Sequence, residues 1–294
     1  MQIKESAGRK VFNVLNIAIM LLLMIVTLYP LLYVVFASFS KSNELMRYTG
    51  ILFKPAGFSV SAYESVFKNP NILRGYKNTI IILVLGLAIN IFMTSLGAYV
   101  LSRKNVLFNG VITMIIMFTM FFHGGMIPTY LLVNNLGIMN TYWALLLPAA
   151  ISTYNMIIMR TGFAAVPDSL EESAKIDGAS HFTILFKIVF PLAKATVAVI
   201  VLYYAVAIWN SWFSAMIYLQ RRRDLQPLQL ILRSILIEND ANSMAGGGMR
   251  NDSESTAETI KYAVIVIATV PILAIYPFLQ KYFVKGVMIG AVKG

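Results

Sequence analysis

Cysteine is absent from the 294 residues, so no disulfide can staple this fold and no thiol can serve as nucleophile, redox centre or soft metal ligand. Histidine occurs only twice, at His123 and His181, with no carboxylate cluster beside either, which leaves no metal-ligand set. Charge is scarce as well: Asp, Glu, Lys and Arg make up 13% of the chain, against roughly 25% in a soluble domain. So few charges cannot cover a water-facing surface. A Gly-x-x-x-x-Gly-Lys-Ser/Thr phosphate loop is also missing. The run Gly246-Gly247-Gly248 is not followed by lysine and reads as a flexible linker, so no site for ATP and Mg is expected in this chain.

What fills the sequence instead is apolar. Hydrophobic residues account for 58%, and the mean hydropathy is +0.72. These values predict an all-α integral membrane protein. The net charge of +11 would suggest nucleic acid in a soluble protein, but here the basic residues flank apolar runs, where lipid headgroups are the partner. The runs predict six transmembrane helices, at about Val11–Phe36 (kinked or ended near Pro30), Asn78–Leu101, Val106–Phe122, Tyr142–Met159, Leu192–Leu219 and Ile260–Leu279. The first is too long for the core of a signal peptide. Gly86, Asn90, Thr94 and Gly97 recur at helical spacing in the second, as close helix packing requires.

Six spans put both termini on one side of the membrane. With the termini in the cytoplasm, the inner segments carry net +7 and the longer outer ones +4, which favours that orientation. The expected organisation is a single membrane domain over 1–294 with its core at about 74–281. Residues 38–77 and 220–259 lie outside the cell, and 166–191 in the cytoplasm. A capping box, Ser61-x-x-Glu64, predicts a short surface helix over Ala62–Lys68, and Leu228–Ile237 reads as a short amphipathic helix. Asn242–Ser255, rich in Gly, Ser and Asn, reads as mobile.

The stretch Val166–Pro191, VPDSLEESAKIDGASHFTILFKIVFP, has the densest local logic. Ser169-x-x-Glu172 and Asp168-x-x-Glu171 are spaced as capping boxes, and Pro167 suits a first turn. Gly178 is placed to end the helix in a left-handed conformation, and Ser180 to cap the next one. In that second helix Phe182, Leu185, Phe186, Val189 and Phe190 are expected to share one face. Two short helices with a glycine corner make a docking element.

The identities go further than the spacing. Glu172-Ser173-Ala174, three residues, Gly178, nine residues and Ile188-x-Phe190-Pro191 resemble the EAA signature of ABC importer permeases, with Ser173 and Phe190 replacing an alanine and a leucine. Glu171-Glu172-x-Ala174-x-x-Asp177-Gly178-Ala179 is similar to the carbohydrate branch, as is the ending Gln280–Gly294. PLQLILRSIL after Trp209-Asn210 resembles the Gram-positive members linked to complex oligosaccharides. The resemblance implies a type I ABC importer permease fold in the cell membrane of a Gram-positive bacterium. Its partners would be a second homologous permease, giving a heterodimer, two copies of a cytoplasmic ATPase, an extracellular solute-binding protein and an oligosaccharide. It also implies that Glu171, Glu172, Ser173, Ala174, Asp177, Gly178, Ala179 and Pro191 couple the chain to the ATPase, with Glu172 as ionic anchor and Gly178 as corner.

For the pathway, Asn210 with Tyr203 and Trp209 offers an amide and aromatic faces of the kind that bind sugars. Arg221-Arg222-Arg223 could seat a binding protein, attract an acidic sugar or anchor to lipid. A permease for another small solute such as an amino acid, a secondary carrier and a non-transporting scaffold remain as alternatives. The carrier would need charges deep inside the spans, whereas the two that fall within the bounds, Lys194 and Lys261, lie within three residues of a span end.

Overall fold

The computed structural model describes residues 7–245 and 259–274, and it is helical apart from an isolated bridge between Ser40 and Phe58. The described chain falls into two compact units, one of residues 7–69 with 234–245 and 259–270, and one of 70–233 with 271–274.

In the first unit α1 (Ala7–Ser38) has no charged residue after Lys10 to break its apolar run and presents nearly all of it outward, as a lipid-facing span does. It continues through Pro30 to Ser38, so the expected end at Pro30 is not observed. Two short helices follow, α2 (Ser42–Arg47) and α3 (Ser61–Lys68). The latter lies where the sequence puts it, but its cap differs. Val60 is the capping position, Ser61 is already helical, and the Ser59 hydroxyl accepts the Ser61 amide at 3.2 Å. Ala37, Leu45 and Leu52 form a small core on which Tyr33 and Tyr262 pack edge to face.

The second unit is built on α4 (Pro70–Ser102), 33 residues and therefore about 50 Å long. Its C-terminal carbonyls, which have no partner within the helix, are satisfied from elsewhere. Leu101 O accepts from Arg160 Nε at 2.8 Å and from Asn109 Nδ2 at 3.1 Å, and Arg103 O accepts from Asn109 Nδ2 at 2.6 Å. Next come α5 (Asn109–Phe118), α6 (Met126–Asn135), α7 (Trp143–Leu146) and α8 (Thr153–Ala164), then α9 (Asp168–Ile176), α10 (His181–Ile184) and α11 (Phe190–Leu192). The last described elements are α12 (Lys194–Asn210), α13 (Phe213–Tyr218), α14 (Leu228–Ala245) and α15 (Thr259–Ala274).

Among the described residues two helices, Gly8–Ser38 and Pro70–Ser102, are long and apolar enough to cross a membrane alone. A third candidate is the pair His181–Leu192 and Lys194–Asn210, bent by 90°. The predicted third, fourth and fifth spans are therefore assembled from pieces. Phe108 adopts a left-handed conformation before α5, and Gly125, at φ 85°, precedes α6. Between the third and fourth predicted spans Pro128 and Asn134-Asn135 lie within α6, because a proline in a first turn has no intrahelical bond to lose. A break falls at Pro148, between α7 and α8, and Arg160 lies inside α8 rather than at its end. Helix α14 extends past the expected Leu228–Ile237 to Ala245. Gly246–Gly248, most of the polar stretch up to Ser255, Pro277, the end of the sixth span and Gln280–Gly294 lie outside the described residues.

Small residues on α4 and α8 let their neighbours close in. A Cβ on Gly86 would stand 2.8 Å from Ile208 Cδ1, one on Gly97 2.7 Å from Met156 Sδ, and one on Gly162 within 2.7 Å of all three branch atoms of the Thr196 side chain. Between helices in lipid, such backbone approach supplies the packing that the hydrophobic effect cannot. Gly162→Ala is therefore expected to wedge α8 from α12 and destabilise the protein by about 1–3 kcal/mol. A drop in thermal midpoint in detergent, partly reversed when Thr196→Ala is added, would show this.

Candidate functional site

The segment between α8 and α12 carries a group of charged side chains, Asp168, Glu171, Glu172, Lys175 and Asp177, close together. Helix α9 starts after Pro167, whose fixed φ of −59° suits a helix entry. Ser169 is thus one residue inside the helix and caps nothing, and neither expected capping box forms. Its carbonyl accepts the Ser173 hydroxyl at 2.9 Å. The other end is as the sequence indicates. Gly178 has φ +81°, its amide donates to Lys175 O at 3.0 Å, and the Ala179 amide donates to Ala174 O at 2.9 Å, the bond pair that closes a helix over a left-handed glycine. Ser180 then caps α10, accepting the Thr183 amide at 3.3 Å.

Beyond Ser180 the helix widens to a π turn over Leu185–Val189. Pro191 accounts for it: a proline ring collides with the carbonyl four residues earlier, here Lys187, and a looser turn moves that carbonyl away. The extra residue rotates the face. Ile184, Leu185 and Val189 are buried, Phe186 and Phe190 are half-buried, and Phe182 points outward, contrary to the single apolar face expected. At Ala193 the chain turns by 90° into α12.

Charges fix α9 to the end of α4. Arg103 is buried. Its Nη1 lies 2.6 Å from Glu171 Oε2, Nη2 donates to Phe163 O at 3.0 Å, Nε donates to Ser102 Oγ at 3.0 Å, and the guanidinium lies 5.0 Å over the Tyr99 ring. Glu171 also accepts from the Tyr99 hydroxyl at 3.1 Å and lies 3.0 Å from Lys175 Nζ, while His181 Nδ1 stands 3.4 Å from that hydroxyl. On the rim Lys104 Nζ meets Asp168 Oδ2 at 3.0 Å. A recess of about 410 Å³ lies beside this cluster, between Leu96, Val100, Val106 and Phe182.

Burial pushes the Glu171 carboxyl up, but the Lys175 hydrogen bond, the Arg103 charge and the Tyr99 hydroxyl outweigh it, and the group sits below the usual carboxylate range. The Lys104 hydrogen bond and charge hold Asp168 low too. Of the remaining expected coupling residues, Ala174 is buried beside Glu171, whereas Glu172, Ser173, Asp177 and Gly178 are open to solvent. Ile176 is 87% exposed, and Glu172 forms no ion pair among the described residues.

The expected pathway residues are not brought together. Tyr203 is partly exposed beside Tyr154, Trp209 is buried against Tyr76, and Asn210 is exposed. The cavity of about 390 Å³ enclosed by α4, α7, α8, α12 and α13 is lined instead by Thr79, Asn90, Ser152, Asn155, Tyr204 and Ser211 among aliphatic walls. Tyr204 Oη ties three of these helices together, accepting the Ser152 amide at 2.9 Å and pairing with Thr94 Oγ1 at 2.7 Å. Its neighbour Tyr203 looks equivalent in sequence, and only the phase of α12 separates them. Asn90 carried a signal, in its spacing with Gly86 and Thr94.

Because the folded Glu171 carboxyl titrates below its ordinary 4.5, its stabilisation is complete above that pH and is lost as pH falls through the lowered value. The melting temperature of the native chain should exceed that of Glu171→Gln at pH 7, and the gap should narrow on acidification below about 4.5. A gap independent of pH would show that the carboxylate charge is not the source of the stability.

Residues 83–289 match the family described as the binding-protein-dependent transport system inner membrane component. The chain is 44% identical over 289 residues to protein LplC of Bacillus subtilis (strain 168), covering 98% of this chain and 97% of that one. It is 40% identical to the polygalacturonan/rhamnogalacturonan transport system permease protein YtcP of the same organism, covering 97% and 99%. Its fold is similar to that in a crystal structure of a bacterial ABC transporter involved in the import of the acidic polysaccharide alginate, with TM-score 0.85, 31% identity and coverage of 96% of this chain and 100% of that one. The chain belongs to the binding-protein-dependent transport system inner membrane components, as a membrane permease subunit of an ABC importer and not an enzyme.

Proposed function

We propose that this chain forms half of the translocation pathway for a complex oligosaccharide, with a second homologous permease as the other half of a heterodimer. Two copies of a cytoplasmic ATPase would drive it, and an extracellular binding protein would deliver the sugar. The sugar class rests on the relatives' names, one referring to polygalacturonan and rhamnogalacturonan and another to alginate. In this reading the termini and Val166–Pro191 are cytoplasmic, α9 seats in a cleft of the ATPase, and ATP-driven closure of the ATPase dimer displaces it. The cavity wall of amides and hydroxyls, Asn90, Asn155, Ser152 and Tyr204, supports a pathway for a hydroxyl-rich cargo, while Tyr203 and Asn210 lie open on α12 for contact with cargo or the partner permease.

One observation carries the docking reading. Helix α9 turns Glu171 and Ala174 inward, into fixed contacts, and leaves Glu172, Ser173 and Ile176 together on its outer face. Gly178 ends it in a closed turn with a fixed exit angle. An exposed isoleucine beside an unpaired carboxylate, on a stiffly mounted helix, suits an apolar socket with an arginine at its edge. Asp177, Ala179 and Pro191 shape the turns on either side rather than forming that face.

Glu172→Lys should leave the chain in the membrane and abolish uptake. ATPase retained on the purified permease pair should fall by about tenfold or more, since reversing a charge that meets a cation loses several kcal/mol of interfacial coupling. Normal uptake of oligogalacturonate and normal ATPase retention in that variant would refute the docking face.

A further inference from the structure

The docking segment reaches the membrane helices by two routes of unequal stiffness. The covalent route passes through the π turn at Leu185–Val189, Pro191 and the 90° turn at Ala193, a run with weakened helical bonding on both sides of a proline. The other route crosses from α9 to α4 through side chains. Arg103 and Glu171 are both largely buried, meet at 2.6 Å, and are bonded in turn to Tyr99, Lys175, Ser102 and the Phe163 carbonyl. A buried pair with its remaining donors and acceptors satisfied has one geometry, and separating it would strand two charges.

We propose that the Arg103–Glu171 pair is the joint through which movement of the docking segment reaches α4 and the cavity wall. Both are positioning residues for transport, and the inference rests on the reading of α9 as the ATPase-docking helix. Adjacent acids divide the work. Consecutive helical positions point about 100° apart, so Glu172 faces outward to a partner while Glu171 faces inward to α4. Arg103 follows directly on α4, and Asn90 of the cavity wall lies 13 residues back along the same continuous helix, about 20 Å away. Tyr204 then joins that part of α4 to α12 and α8 through Thr94 and the Ser152 amide. Glu171 and Arg103 touch neither the docking face nor the cavity, so their removal separates transmission from docking.

The absence of cysteine supplies a clean reporter background. In the full complex with its ATPase, reconstituted in nanodiscs, the thiol of Asn90→Cys (or Thr79→Cys) is modified with a water-soluble maleimide, without nucleotide and with ATP plus vanadate. The modification rate should differ between the two states. With Glu171→Gln or Arg103→Gln added, the assembled complex should still hydrolyse ATP while that rate difference shrinks by at least about fivefold, the lower range of an inter-site coupling. The exchanged pair R103E/E171R should restore part of it.

A rate difference of full size in both single variants overturns the proposal. So does a proportional fall of hydrolysis and thiol response in an assembled complex, or a parent thiol that ignores nucleotide at both positions. If Arg103→Gln does not assemble, Arg103→Lys, which keeps the charge without the guanidinium fork, is read in the same way. An ATPase that fails to bind the parent chain refutes the docking reading itself, and co-purification separates that result from a bound ATPase whose motion bypasses the pair.

Discussion

A guanidinium buried at the end of a membrane helix has to find its partners inside the protein, and this requirement organises the permease. An unpaired ion there would cost several kcal/mol, so the surrounding backbone is arranged to meet it. Arg103 draws in the Phe163 carbonyl, one of the last carbonyls of α8, which also accepts the Val166 amide at 3.3 Å. It draws in Glu171, which brings α9, and Tyr99, whose ring lies under the charge and whose hydroxyl reaches the same carboxylate. One side chain thereby sets the relation of α4, α8 and α9. The same network accounts for the direction of α9: Glu171 has to face inward, and Glu172 and Ile176 are left outside.

The opposite end of α4 is held by the same type of logic with neutral groups. Asn78 donates to the carbonyls of Asp224 and Gln226 at 2.8 and 2.9 Å and accepts the Tyr142 hydroxyl at 2.8 Å, while Thr79 accepts the Leu228 amide at 2.9 Å. The loop after α13 is tied down by its backbone, and Arg222 forms a two-point pair with Asp224. Helix α4 is thus fixed toward one end to an irregular loop and at the other to α9, with glycines between them that let α7, α8 and α12 close in. Its apolar length made it legible as a span, but its fixed position depends on the polar residues toward its two ends.

That contrast explains which features could be read from the sequence. The left-handed turn at Gly178, the Ser180 cap and the helix Ser61–Lys68 depend on residues within a few positions of one another, and spacing finds them. The capping boxes at Ser61 and Ser169 fail because one helix starts at its serine and the other one residue before it, a shift of one or two residues from the capping position that a local pattern does not resolve. Arg103 and Glu171 are separated by 68 positions, so no local window connects them. The broken third, fourth and fifth spans were hidden by composition: hydropathy averages over Phe108, Pro148 and Ala193, where the chain changes direction. Tyr203 and Tyr204 differ in exposure only because tertiary packing sets the phase of α12.

The two polar sites also differ in a way that bears on cargo. The cluster at α9 is ionic, while the cavity wall offers only amides and hydroxyls, with no cation among its lining residues. Such a wall can exchange hydrogen bonds with a sugar's hydroxyls at little net free-energy change, which favours passage over tight retention. It cannot compensate a desolvated carboxylate, whose burial without a counter-charge is far more costly than that of a neutral hydroxyl. For an acidic oligosaccharide, compensation would have to come from water retained in the pathway or from the partner permease. The arginines at Arg221 and Arg223 lie outside the cavity, on the exposed loop that α4 holds in place. If that loop is extracellular, as proposed, they would raise the local concentration of an anionic sugar at the entrance without accompanying it through. On the proposed reading this chain would contribute hydroxyl-matched walls, and charge selectivity would be set elsewhere in the complex.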